Sequence, residues 1–164
     1  MPAPADRTAY EARQARLLRA LQRGDGFPEG FDPDKAGAAG RSLRRKRAHA
    51  VAGAWPALAL ALGDEFDARF DAFARATPPP AFGFGYTDGL AFARTLAAGE
   101  LTGDARVELL LARAAIAGRD GAWRARRGVF AGAMAVGDPA RVLIVLRLPV
   151  IGRRLLVVPL GRGR

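Results

Sequence analysis

Between Leu43 and Ala93 the chain is punctuated in a way that only short helices with enforced stops satisfy. Trp55-Pro56 interrupts any helix arriving from the basic run Arg44-Arg45-Lys46-Arg47, because proline lacks an amide hydrogen and its ring collides with the preceding turn. Leu62-Gly63 supplies the next stop and Pro78-Pro79-Pro80 the one after. Between those two, Phe66, Phe70 and Phe73 recur at four- and three-residue spacing, so one helical face is aromatic and needs a cover. Asp88-Gly89 ahead of Phe92 reads as another helix start. These markers outline a small helical bundle and no active site.

The flanking sequence extends the pattern. Thr8 with Glu11 forms a capping-box pattern opening a helix to about Arg23, with Leu17, Leu18 and Leu21 on its apolar face and Gly24 and Gly26 at its end. Asp32-Pro33 is a cap and first-turn pair for a second helix running to about Ala54, and Pro56 forces a kink or a fresh start. Asp64 caps a third main helix to about Ala76, and a glycine and aromatic loop spans residues 81–86. Asp88 caps a helix to Ala98, and a last helix runs from about Thr102 to Ala117.

After Gly118 the texture changes. Val129-Phe130, residues 142–148 and residues 155–158 are β-favouring runs, punctuated by Gly137-Asp138-Pro139 and by residues 150–152. They predict a meander of two or three strands, with residues 141–148 and 153–160 as the surest hairpin. Arg147 interrupts an apolar strand, which predicts one solvated or partnered face. The expected class is α+β: a bundle of about five helices over residues 1–118, then a small antiparallel β hairpin or meander over residues 119–164.

The 164 residues suit one domain, or a helical part with a small appendage. Cysteine is absent, which excludes disulfides and thiolate metal sites. Residues 48–62 are apolar but too short to span a bilayer, and residues 141–160 are cut by Arg147, Pro149, Arg153 and Arg154, so no membrane association is expected. The start, Met1-Pro2-Ala3-Pro4-Ala5-Asp6, lacks the layout of a signal peptide, and the expected location is the cytoplasm. The net charge of +10 points towards a polyanion or acidic partner. Nearly all of it is arginine in an Ala-, Gly- and Pro-rich chain, a mixture that a GC-rich genome produces without selection for binding.

Few side chains offer chemistry. On a helical wheel Arg47 falls on a stripe with Ala36, Leu43, Ala50 and Ala54. A charge there must find a partner, either a carboxylate such as Asp67, Asp71 or Asp88, or an acidic group of another molecule in a groove. Arg41, Arg44, Arg45 and Lys46 form a basic patch, readable as a solvated face or a phosphate contact. Asp64, Glu65, Asp67 and Asp71 suit a helix start and the pairs Glu65–Arg69 and Asp71–Arg75 better than a metal. His49 is the one histidine, so a first-row metal site would lack its usual nitrogen ligands. Ser42 is the one serine, and no nucleophile–base pairing is visible beside His49. Trp55 and Trp123 read as packing anchors or interface side chains.

The order Phe27-Pro28-Glu29-Gly30-Phe31-Asp32, Leu43, Lys46-Arg47-Ala48, Val51-Ala52, Trp55-Pro56-Ala57-Leu58, Leu62-Gly63, Phe66, Phe73-Ala74, Pro78-Pro79-Pro80, Asp88-Gly89 and Phe92-Ala93 resembles a family of small accessory domains. In actinobacteria these are similar to the C-terminal region accompanying multinuclear non-haem iron-dependent oxidative enzymes. More distantly, the chain resembles the helical N-terminal domain of partner proteins that work with such enzymes on ribosomally made peptides, a domain also labelled as DNA-binding. The resemblance covers residues 8–117 and the β-rich tail only loosely.

It implies a non-catalytic companion without a cofactor of its own, which binds an acidic precursor (leader) peptide, the multinuclear iron-dependent oxidative enzyme, or both. The residues themselves offer a compatible mechanism, strand addition at an exposed edge of the C-terminal hairpin. Arg124, Arg126, Arg127, Arg147, Arg153 and Arg154 would favour an acidic peptide there, or would simply blunt the edge against aggregation. With Arg44, Arg45, Arg47 and Trp55 they make up the candidate partner-binding set. The alternative is a DNA- or RNA-binding protein using Arg41–Arg47.

Overall fold

A computed structural model describes residues 4–118, 122–136, 141–149 and 152–159. Six α-helices come first among them: α1 (Pro4–Arg23), α2 (Pro33–Ala54), α3 (Pro56–Leu62), α4 (Phe66–Ala76), α5 (Phe84–Ala93) and α6 (Gly103–Ala115). Five strands follow: β1 (Ile116–Ala117), β2 (Arg124–Ala125), β3 (Phe130–Val136), β4 (Arg141–Leu148) and β5 (Gly152–Pro159). The class is α+β with the helices N-terminal. The chain forms two compact units, one from the chain up to His49 together with Asp67–Pro78, the other from Ala50–Phe66 and the chain from Pro79 onward.

The punctuation works largely as read, with three differences at helix starts. Asp32 caps α2 through Oδ1, which accepts from the amides of Asp34 (3.0 Å) and Lys35 (3.2 Å). Pro56 starts α3, and Gly63 ends it. Thr8, however, lies inside α1, which begins a turn earlier, and Glu11 pairs with Arg7 at 3.0 Å. A 3-10 turn over Gly63–Glu65 precedes α4. Asp88 is buried within α5, which starts after Gly83 in the left-handed conformation (φ 71°) and ends at Ala93. Thr102 does cap α6, its hydroxyl accepting from the amide of Ala105 at 3.3 Å.

In the first unit, Ala20 of α1, Ala36 and Ala48 of α2, and Phe70 and Ala74 of α4 form the apolar interior. Phe70 and Phe73 pack with ring centroids 5.5 Å apart. Gly24, at φ 87°, ends α1 where a side chain would meet Nη1 of Arg75 at 2.8 Å.

In the second unit α3 packs on α6, and α6 packs on the sheet. Phe66 meets Phe92 edge-on at 5.9 Å. The three-stranded sheet is the antiparallel meander β3-β4-β5, and β1 with β2 form a separate two-residue ladder that the sequence did not foretell. Leu143 and Val145 of β4 are buried with Ala114 of α6, against Val107, Leu110, Leu111, Phe130 and Met134. The meander matches the expected hairpin, and the expected turn at residues 137–139 lies outside the described residues.

Candidate partner-binding surfaces

The basic helix does something other than its sequence implies. The buried line of α2 is Ala36, Gly40, Arg44, Ala48 and Val51, continuing to Trp55, whereas Leu43 and Ala50 are exposed. Arg44, read as part of an outward patch, is therefore the arginine on the core stripe, with 2% exposure. A buried guanidinium needs its donors matched. Its Nε donates to Oδ1 of Asp71 at 2.6 Å, and its Nη1 to the carbonyls of Leu21 and Gln22, both at 3.0 Å.

Arg75 completes the cluster, with Nε on Oδ2 of Asp71 (2.8 Å) and Nη1 on the carbonyl of Arg23 (3.0 Å). Burial alone would raise the Asp71 carboxyl; the hydrogen bonds and charges of Arg44 and Arg75 outweigh it and hold the group below its ordinary value.

Arg47 is half-buried, one turn further along. Its Nη1 donates to the carbonyls of Ala74 (3.3 Å) and Thr77 (3.1 Å), and its guanidinium lies 5.9 Å from the Phe70 ring centroid. Arg44, Arg47 and Arg75 thus take up the carbonyls that α1 and α4 leave open at their C-termini, where cations are also favoured by the helix dipole. Arg41, Arg45, Lys46 and His49 stay exposed. Among the described residues no group of acidic, histidine or cysteine side chains could hold a metal ion, and no helix is long and apolar enough to cross a membrane.

Trp55 is 1% exposed, and its Nε1 donates to the carbonyl of Tyr86 at 3.2 Å. Its ring lies so close over Gly89 that a Cβ there would overlap Cδ1 and Nε1. Gly85, one turn earlier on α5, meets the backbone of Ala50 in the same way. Glu108 of α6, which the sequence reading missed, caps the neighbouring α3 from outside that helix. Its carboxylate accepts from the amides of Ala57 (3.0 Å) and Leu58 (2.9 Å), where Trp55 as N-cap offers no side-chain acceptor.

Trp55, Ala57, Leu58 and Gly89 are among the residues on which the resemblance rested, and a known family of domains covers them. The model described as SCO6045-like, C-terminal domain matches residues 11–98, more than half of the chain. The chain belongs to that family. Its match spans most of α1 and all of α2 to α5, and stops before α6 and the strands. No curated protein and no solved structure matches the chain.

The C-terminal arginines, which lie beyond the matched residues, fall into three environments. Arg124 and Arg127 are exposed. Arg126 is tied down: Nε donates to the carbonyl of Arg113 (2.8 Å), Nη2 approaches that of Ile116 (3.4 Å), and the guanidinium covers Phe130 at 5.1 Å. Arg147 shares the helix-covered face of β4 with Leu143 and Val145 and stands opposite Phe130. Its Nε is buried and has no hydrogen-bond partner among the described residues. Arg153 and Arg154 stand in β5 opposite Arg147 and Leu146, and their side chains lie outside the described part.

The other face of β4 carries Val142, Ile144, Leu146 and Leu148 beside exposed Ala131, Ala133 and Ala135 of β3. The first three of those β4 residues are half-buried and Leu148 is 38% exposed. Among the described residues neither β3 nor β5 pairs with a further strand.

Proposed function

We propose that this domain is a non-catalytic binding module, an accessory subunit that recognises a partner protein or precursor peptide in a cytoplasmic ribosomal-peptide modification system. The partner enzyme in that reading is a multinuclear iron-dependent oxidase. The observation that carries it is the second face of the meander. Aliphatic side chains alternate along β4 on both faces, yet α6 covers only the face of Leu143 and Val145. A sheet apolar on both faces is the pattern of a sheet covered on both sides. A partner seated on Val142, Ile144 and Leu146, or a strand added at an outer edge of the sheet, would supply that cover.

The rival reading, nucleic acid on the basic helix, has less to work with. Arg44 is committed to Asp71 and backbone carbonyls, and Arg47 to the end of α4. Arg41, Arg45 and Lys46 remain exposed there, and phosphate affinity scales with the number of charges neutralised.

Co-expression of the tagged chain with a multinuclear iron oxidase and precursor peptide from the same genome tests the reading. Retention of either through a salt wash, lost in Ile144→Glu, is the expected result. Retention of neither, by a wild-type chain shown to be folded, would contradict it.

A further inference from the structure

A second surface lies in the same unit as the sheet. An open cleft of about 820 Å³ is bounded by Phe82, Ala117 and residues 123–128. That volume is within the usual range for a ligand-binding cleft. Its apolar part comes from Trp123 and Phe82, the latter 47% exposed. Its polar part comes from Arg124, Arg126 and Arg127, and no described lining residue is acidic.

The parts of this cleft are held in place. Trp123 is stacked under the guanidinium of Arg94 at 4.7 Å. The backbone at Phe82 is held by Thr87, a buried residue whose Oγ1 donates to the Phe82 carbonyl at 2.5 Å and lies 3.3 Å from that of Phe84. Arg126 is anchored by backbone carbonyls, which leaves Arg124 and Arg127 as the exposed charges of the rim. An apolar floor with exposed cations on one side is suited to one side chain entering, with anionic groups on either side of it.

We infer that this cleft binds an acidic peptide segment, seating an aromatic or aliphatic side chain on Trp123 and Phe82 while its carboxylates pair with Arg124 and Arg127. The inference rests on the reading of the domain as a binding module and gives the peptide a site of its own. Two features favour a peptide over single-stranded nucleic acid. Among the described lining residues Phe82 is the one well-exposed aromatic ring, whereas a run of stacked bases needs several. Two exposed arginines also fall short of the six to ten phosphate contacts of a strong nucleic-acid site.

The test uses the full chain and two fluorescein-labelled peptides of Glu and Asp, identical except for one central Phe or Ser, with an oligothymidine as the nucleic-acid probe. By anisotropy, wild type is expected to prefer the Phe peptide by about tenfold, the scale of one apolar anchor. Phe82→Ser should remove that preference, and the double variant Arg124→Glu/Arg127→Glu should weaken the Phe peptide by at least about tenfold. Arg45→Glu/Lys46→Glu should act equally on both peptides. Circular dichroism establishes that each variant is folded.

Equal affinity for the two peptides, no binding of either, a preference that survives Phe82→Ser, or tighter oligothymidine binding weakened by the rim variants would each overturn the inference. Loss of partner capture in Ile144→Glu with unchanged peptide preference leaves the cleft standing. Loss of the preference with intact partner capture removes the cleft alone.

Discussion

Nε of Arg44 lies 2.6 Å from Oδ1 of Asp71, joining the middle of α2 to the middle of α4. The two partners differ in exposure, 2% for the arginine side chain and 38% for the carboxylate. The pair is thus a buried cation held by a half-open anion. Losing the anion leaves a charge that water reaches poorly, so the cost comes from stranding Arg44 more than from the attraction itself. Asp71→Ala should destabilise the chain by about 2 kcal/mol, below the range for fully buried pairs because the carboxylate is partly solvated. Urea denaturation of the two proteins measures it.

Acid should act through the same residue. The folded-state pKa of Asp71 is lowered, so its contribution is fully present above the unfolded value of about 3.9 and is lost as pH falls through the folded value. Wild type should therefore lose stability on acidification below about pH 4, and Asp71→Asn should show a shallower loss over that range. Stability measured against pH for both chains gives the comparison. Parallel curves would mean that Asp71 carries little of the acid sensitivity.

Two glycines separate packing from propensity. Gly89→Ala places a methyl group inside the Trp55 ring, and neither backbone nor buried indole can withdraw, so a loss of about 2–3 kcal/mol is expected. At Gly53, exposed in α2, nothing lies within 4 Å of the added carbon. Gly53→Ala should stabilise by about 0.5–1 kcal/mol. Thermal melts of the pair should move in opposite directions.

Glu108 can be tested as a cap supplied by a neighbouring helix. Glu108→Ala leaves the Ala57 and Leu58 amides at the start of α3 without their acceptor, and a cost of about 1–2 kcal/mol follows from measured cap deletions. For a chain of this size that is a fall in Tm of roughly 2–8 °C. Glu108→Gln, which keeps one acceptor oxygen, should lose less.

Much of the architecture was legible because its signals are local. Pro56, Gly63, Asp32 and Thr102 act on their own or adjacent turns, and the alternation in residues 141–148 needs only a neighbouring strand to express it. The misplacements were of another kind. A helical stripe drawn through Leu43 and the other apolar residues of α2 takes in Arg47 and leaves out Arg44. The observed line runs through Gly40 and Arg44, a glycine and a charge that no apolar pattern would select. Burying Arg44 depends on carbonyls of α1 and a carboxylate of α4, both far away in sequence. Asp88 resembled a cap because its residue type suits one, while Gly83 starts the helix by its backbone conformation. Residues 81–86 read as a loop, yet Phe84 and Tyr86 open α5 behind Gly83, and the proximity of Phe82 to residues 123–128 required the fold.

Arg44 and Arg47 of α2 hold helices together, and the proposed role of the domain is to dock on proteins or peptides. Fluorescence anisotropy of labelled duplex and single-stranded DNA, titrated with the full chain from about 50 to 200 mM salt, tests it most directly. The expected affinity is about 10⁻⁴ M or weaker near physiological salt, the weak end of non-specific binding, with Arg45→Ala and Lys46→Ala changing little. Micromolar binding or tighter, falling steeply with log salt and weakened by those two substitutions, would contradict it.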